Sequence, residues 1–490
     1  MYLGWSEGFH DAAVAVIDDK GNIKFATHAE RFSNHKHDKH VGPSLKRYIE
    51  SNYDITHKAF YEKPFLKRTR QLYAGQVKTA FSKRKMAWKP DSTYPHHMSH
   101  AAATFQTSPY EEAVAIVVDS IGEWDTTTIW KCKYDTDGNA VYKKVYCRVY
   151  PQSIGLWYTA LTKYVGLRPL DEEYIFMGMA AYGKYNPVLK KYLHAMLTVV
   201  DPEYPDERDA NLHRGVNYIQ DKFLSSFTGQ DIAFNAQMVL EEELVYLFKE
   251  ASVHSRNFVY GGGVALNCVA NSVLSKLCKG RLWIMPNPGD AGGALGAACL
   301  AYGRKVKFDT PYLGLQLNSS SDKENLAERV VNELLDKGIC GLAYGRAEWG
   351  PRALGNRSLL ADPRGPDAQD RVNTIKKRQK FRPFAPVILE EFREQYFKMS
   401  QKSPYMQFTF DCIRGDELPA IVHADNSSRV QTIRADEKGT IMGLVLKKWY
   451  EKTGCPVLLN TSLNVRGKPM VNDVADAFEF TNNYHVPVFF

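Results

Sequence analysis

One pattern is written twice in this chain, and it narrows the folds open to it. The opening stretch, MYLGWSEGFHDAAVAVIDDKGNIKFATHAERFS, runs as strand, glycine-containing loop, strand, turn and strand. Residues 112–150, EAVAIVVDSIGEWDTTTIWKCKYDTDGNAVYKKVYCRVY, repeat that order. The turns fall at Asp19-Lys20-Gly21-Asn22 and at Asp137-Gly138-Asn139, residue types that accept a tight hairpin backbone. Each copy carries an acid in its first loop: Asp11 beside His10, and Asp119 at the end of an apolar run. Alone, the His10-Asp11 loop reads equally well as a capped turn.

A strand, acid-loop, strand unit used twice predicts an internally duplicated α/β fold. The actin/sugar-kinase/Hsp70 class is built this way, with a nucleotide or metal between its halves. Between the copies lies YPHHMSHAAATF. His96 and His100 are four residues apart, which on a helix puts both imidazoles on one face. His97 lies about 100° further round and off that face. Hard carboxylates usually complete such a pair, and Asp119 and Asp290 are the candidates. Asp290 sits in NPGDAGGALGAA, a glycine-rich turn opening a helix. The stretch NFVYGGGVALNCVANSVL reads as strand, glycine-rich turn and helix, whose first N–H groups suit a phosphate or adenosine.

Residues 153–255 read as mostly helical, and 304–322 as a linker. The segment beyond it carries Arg346, Arg352, Arg357 and Arg364, then Lys376, Arg378 and Arg382, then Asn460, Thr461 and Ser462 after a strand. Arginines in loops between apolar strands need anions, and this lobe has few acids beside them, so phosphate or carboxylate is expected there. Lys58 to Lys89 holds ten basic residues against one acid, Glu62, with Tyr61, Phe65, Tyr73, Phe81 and Trp88 interleaved. Two readings remain open for it: a nucleic-acid surface, or an amphipathic helix with its rings in the core.

The eight cysteines include no CxxC pair, which argues against a zinc ribbon, and Cys268 and Cys299 read as reduced core residues. No apolar run reaches the roughly 18 residues of a membrane span, and no secretory leader pattern opens the chain, so a cytoplasmic protein is expected.

Ten ordered blocks carry a resemblance over nearly the full length: FHDAAVAVI, ERFSNHKHD, YEKPFLKRTR, HHMSHAAATF, DSIGEW, GGGVALNCVAN, GDAGGALGAA, GRAEWGPRALGNRSLLADPR, FRPFAPVI and LNTSLNVRGKPMV. The chain resembles the O-carbamoyltransferases of antibiotic tailoring and nodulation-factor synthesis. The resemblance implies a Kae1-like domain over 1–318, of the actin/sugar-kinase/Hsp70 kind, and a YrdC-like α/β domain over 319–490. It implies that carbamoyl phosphate and ATP give carbamoyl adenylate in the second domain. The first then moves the carbamoyl group to a hydroxyl beside a divalent metal, commonly iron, with manganese, cobalt or zinc as alternatives.

By position, the resemblance makes His96, His100, Asp119 and Asp290 the metal ligands, with His10 and Asp11 catalytic. It places nucleotide contacts of the first domain on Gly122, Glu123, Gly261, Gly262, Gly263 and Asn267. Arg346, Arg352, Arg357, Lys376, Arg378, Arg382, Asn460 and Ser462 are assigned to carbamoyl phosphate and the ATP phosphates. Lys36, Lys67, Arg68 and Arg70 are candidate acceptor contacts. One block departs: where the family has a lysine before its Met-Gly motif, this chain has Ile175 and Phe176 in YIFMGMAAYG. The basic segment and this departure point to a hydroxymethylated pyrimidine, in DNA or as a nucleotide, as acceptor. The alternatives are a sugar or natural-product hydroxyl, tRNA threonylcarbamoyladenosine synthesis, or a nucleotide-binding regulator without catalysis. No membrane partner is expected, and a homodimer is allowed.

Overall fold

A computed structural model of the chain describes residues 1–82, 86–198, 222–317, 320–379 and 382–490. Lys83, Arg84 and Lys85 of the basic segment, and the boundary expected at 318/319, lie outside the described residues. The chain divides into two compact units. The first comprises Met1–Gly8, Ile17–Asn22 and Ile55–Lys307; the second comprises Phe9–Val16, Ile23–Asp54 and Phe308–Phe490.

The duplication is visible within the first unit. Tyr2–Ser6, His57–Phe60 and Ser92–Thr93 are successive parallel neighbours. Glu112–Val118, Phe258–Gly261 and Leu282–Trp283 form a second parallel triplet. Glu112–Val118 also starts an antiparallel meander with Asp125–Tyr134 and Ala140–Val149. The two hairpin turns match bond for bond, each spelled Asp-x-x-Gly-Asn. Asp18 Oδ1 accepts the Lys20 and Asn22 amides at 3.0 and 2.8 Å, and Asp135 Oδ1 accepts those of Asp137 and Asn139 at 3.0 and 2.8 Å. In both turns the acid's own amide donates to the asparagine carbonyl, at 3.0 and 2.9 Å. An Asp that satisfies two turn amides at once fixes such a loop from local sequence alone. The region read as helical contains Ile154–Tyr164, Glu173–Met179, Pro187–Thr198 and Gly229–Ser252. Ile175 and Phe176 are core residues there, with the Phe176 ring 5.0 Å from that of Tyr158.

In the second unit six strands form one mixed sheet, in the order Gln431–Ile433, Ala385–Leu389, Val457–Ser462, Arg357–Ala361, Ile339–Ala343 and Val488–Phe489. Alternate residues feed two cores, as the period of a strand requires. Leu359, Ile388, Val457 and Leu459 pack with Val372, Phe397 and Phe480. Leu360, Val387 and Leu458 pack with Leu326, Val330, Leu446 and Trp449 from the helices Lys323–Lys337 and Met442–Thr453. A sheet covered on both faces explains why its strands read as unbroken apolar runs. The stretch expected as a linker holds a strand, Tyr312–Gln316, paired antiparallel with Arg346–Glu348. Its alternation of leucine and glycine hid it among turn residues. No described helix is long and apolar enough to cross a membrane.

Trp449 is fully buried, and its indole N–H donates to the Val457 carbonyl at 3.2 Å. Trp449→Ala should destabilise the second unit by about 3–5 kcal/mol, through cavity and lost contacts. Denaturant unfolding followed by tryptophan fluorescence checks this.

A candidate metal centre and a candidate anion pocket

The helix His96–Gln106 starts at the first of its three histidines. Its cap residue is Pro95, which offers no side-chain acceptor. The buried carboxylate of Glu123 does that work: it accepts the His96 amide at 3.0 Å and the Lys63 amide at 2.6 Å. A negative charge at a helix N-terminus is favourable, yet burial still raises the Glu123 pKa above its ordinary value. Glu123, expected to touch a nucleotide, seats the histidine helix in this structure. Gly122 lies against the same helix, where a Cβ would come within 3.1 Å of the His96 Cβ.

His96 Nε2 and His100 Nε2 are 3.0 Å apart. Asp119 Oδ2 lies 3.0 Å from the first and 3.4 Å from the second; Asp290 Oδ1 lies 3.4 and 3.6 Å away. Asp119 stands just past the strand Glu112–Val118, and its other oxygen accepts the Ser120 and Gly263 amides at 2.8 and 3.1 Å. That leaves Oδ2 turned to the histidines. Gly262, at φ +91, permits the approach, because a Cβ there would lie 2.2 Å from the Val118 carbonyl oxygen. Asp290 is held by the helix Gly292–Tyr302, which crosses the histidine helix so closely that a Cβ on Gly296 would lie 1.8 Å from the Ser99 carbonyl oxygen. The glycines expected to cradle a nucleotide therefore build the Asp119 side of this centre. Asn267 caps the helix Cys268–Leu277 through Ala270, and its amide donates to Gln237 at 2.9 Å.

The four donors fit a divalent cation. Ligands about 2.1 Å from one ion sit roughly 3.0–3.4 Å from each other at right or tetrahedral angles. Two imidazole nitrogens and two carboxylate oxygens suit a borderline transition metal. Burial pushes the Asp119 carboxyl up, but hydrogen bonds to His100 and His96 hold it well below the usual range. Burial pulls the His96 imidazole down, and Asp119 and Asp290 more than reverse it. Two buried acids thus keep cationic charge at a point where a dication would sit. His97 turns away, with Nδ1 3.0 Å from Thr128 Oγ1.

Of the candidate acceptor contacts, Lys67 and Arg70 face inward. Lys67 Nζ pairs with Glu62 at 2.7 Å, and the Arg70 guanidinium lies 5.7 Å over the Tyr150 ring. Arg68 is exposed. Lys36 belongs to the second unit, paired with Glu30 at 3.0 Å.

In the second unit Lys376 is buried, and every partner of its ammonium is neutral: the Ser462 carbonyl at 2.5 Å, Ser462 Oγ at 2.9 Å and Asn464 Oδ1 at 2.7 Å. Burial, then the charges of Arg378, Arg382 and Lys36, pushes its pKa well below that of an ordinary lysine. Arg378 stacks 3.8 Å over the Phe384 ring and donates to Asn373. With neutral groups on its ammonium and cations around it, Lys376 is placed where an anion would be favourable.

Three other residues expected at phosphates are engaged elsewhere. Arg357 is buried, with five backbone carbonyls on its two terminal nitrogens, and burial lowers it to about 10. Arg346 donates to the carbonyls of Gly314, Leu313 and Lys24. Asn460 ties Ala353 to Gln431 inside the core. Arg352 is half-buried on the loop that follows Gly350.

Asp11, at φ +51, bridges two histidines: His10 Nδ1 at 2.9 Å and His37 Nδ1 at 2.8 Å. Against the effect of burial, those two bonds hold its carboxyl well below the usual range. His37, Glu30 and Arg31 were not among the residues that the sequence singled out. Yet Glu30 and Arg31 are buried, and Glu30 accepts the His37 amide at 2.8 Å. The missed signal is the Glu30-Arg31 pair, flanked by Ala29 and Phe32 at the end of a buried strand.

Two family models match the chain: carbamoyltransferase N-terminus over residues 43–299, and carbamoyltransferase C-terminus over residues 331–490. An uncharacterized protein of Synechocystis sp. is 31% identical across 97% of this chain and 93% of its own length. Nodulation protein NolNO of Sinorhizobium fredii is 30% identical across 78% of this chain and 60% of its own. Nodulation protein U of Rhizobium tropici is 29% identical across 80% and 74%.

His96→Ala should lower divalent-cation affinity by an order of magnitude or more, by removing one donor of four. His97→Ala should retain the cation. Elemental analysis of the dialysed proteins decides, and wild-type metal content in His96→Ala would remove the assignment.

Proposed function

The chain belongs to the carbamoyltransferase family, and on that premise we propose how its two units divide the reaction. The second unit makes carbamoyl adenylate. Water cleaves carbamoyl phosphate to carbamate and phosphate, a carbamate oxygen then bonds to the α-phosphorus of ATP, and pyrophosphate leaves. The first unit serves the transfer: the acceptor oxygen bonds to the carbamoyl carbon, the bond to AMP breaks, and the hydroxyl proton is lost.

One observation carries this reading. The buried Lys376 has neutral partners and cationic neighbours, an arrangement suited to a ligand rich in phosphates. Lys376, Arg378 and Arg382 bind those oxygens, and the Ser462 hydroxyl orients Lys376. His96, His100, Asp119 and Asp290 hold a divalent cation, iron first, which when bound supplies Lewis acidity to the carbamoyl oxygen. The His10–Asp11 pair, an imidazole oriented by a carboxylate within the second unit, suits proton transfer. The acceptor is a hydroxymethylated pyrimidine, in DNA or as a nucleotide, a reading supported by the basic residues of 58–89.

Purified protein should release pyrophosphate from ATP only when carbamoyl phosphate is present. Lys376→Met should lower that rate about a hundredfold or more, the loss typical of one charged stabilising donor, while keeping its metal. Wild-type release from Lys376→Met would overturn the assignment. An acceptor screen should show carbamoyl mass added to hydroxymethylated DNA or its nucleotide. Addition only to an aminoglycoside or oligosaccharide would replace that acceptor with a sugar.

A further inference from the structure

The helix Pro64–Tyr73 is built inside out. Its inward side chains are Lys67, Arg70 and Gln71, while Phe65, Leu66, Leu72 and Tyr73 face solvent. The short helix Val77–Ala80 extends the series with Val77 and Phe81. Phe65, Tyr73 and Phe81 are 75%, 65% and 74% exposed. Of the rings in the basic segment, Tyr61 and Trp88 are buried. The aromatic residues therefore divide between the core and an outer face that also carries the exposed Arg68 and Lys78.

We propose that this outer face binds single-stranded nucleic acid, with bases stacked on Phe65, Tyr73 and Phe81 and phosphates on Arg68 and Lys78. It rests on the reading of the acceptor as a nucleic-acid hydroxyl, and it names the surface that holds the polymer. Bases offer a flat face to any aromatic ring whatever their sequence, and phosphates take the cations between the rings. A membrane-surface helix segregates its apolar and cationic faces. Here Arg68 lies in the same helical stripe as Phe65 and Leu72, at spacings of three and four. Gly75, at φ +69, also breaks the apolar series into two short pieces.

The face adjoins the candidate transfer centre. The amide of Lys63, one residue before the helix, shares Glu123 Oε1 with the amide of His96. The Tyr73 ring lies 5.4 Å from that of Trp124, the residue after Glu123. A strand lying on these rings runs beside the helix that carries His96 and His100.

The test is fluorescence anisotropy of the full chain with a labelled, unmodified single strand of about 20 nucleotides, longer than the roughly 4–16 that one such surface covers. The triple variant Phe65→Ala, Tyr73→Ala, Phe81→Ala should bind about a thousandfold more weakly, from roughly tenfold per stacked base. Arg68→Gln with Lys78→Gln should flatten the salt dependence by about 1.4 log units per log unit, two phosphate contacts' worth. Both variants should melt with the wild type, because the substituted side chains are exposed.

Equal binding by the triple variant would overturn the surface. So would absent strand binding together with ring-dependent attachment to phosphatidylserine vesicles, or ring-dependent dimers in sedimentation. Ring-dependent strand binding by an enzyme that carbamoylates only sugars supports the surface and removes the acceptor reading instead.

Discussion

Holding two carboxylates within 3.0–3.6 Å of two adjacent imidazoles, largely away from water, is the constraint on which the first unit depends. Like charges so buried repel strongly unless a cation or protons intervene. The surrounding backbone is shaped to enforce the cluster. Glu123 seats the helix that supplies both histidines. Gly263 and Ser120 occupy one Asp119 oxygen, so only the other can face the histidines. Gly296 lets the helix after Asp290 close on Ser99. Remove any one of these and a donor moves, while the rest of the unit has no evident reason to be built so tightly.

The second unit poses the opposite electrostatic problem. Lys376, Arg378, Arg382 and Lys36 lie close enough to depress the lysine, and the partners of its ammonium are neutral. One unit thus concentrates carboxylates where a dication fits, and the other concentrates cations where a polyanion fits. The proposed adenylate route would use both kinds of site. Activating carbamate consumes phosphates, and moving it to an alcohol develops negative charge on oxygen.

The sequence revealed local spacings well. The four-residue interval of His96 and His100 is a property of one helix turn, and the two Asp-x-x-Gly-Asn turns close on themselves. What stayed hidden came from distant chain. Glu123 caps a helix from 27 positions away, and nothing near His96 announces it. Arg346 and Arg357 looked like anion ligands because acids are scarce around them, yet their acceptors are backbone carbonyls, which composition cannot register. Lys36 sits in a histidine-rich stretch near the start but belongs with residues 308–490.

The basic segment shows why periodicity is an incomplete guide. The pattern of Pro64–Tyr73 reveals that the helix has two faces but not which one is buried. Ordinary energetics would put the rings inside. The opposite orientation leaves apolar surface in water and takes two cations out of it, and both changes are unfavourable. Glu62 offsets the cost for Lys67, and the Tyr150 ring does part of the same for Arg70. Those partners make the inward face tolerable, but they do nothing for the exposed rings. Tyr73 has a ring partner in Trp124, 5.4 Å away, and the proposed strand would supply one for Phe65 and Phe81. The cations on that face narrow the choice to a partner that carries negative charge.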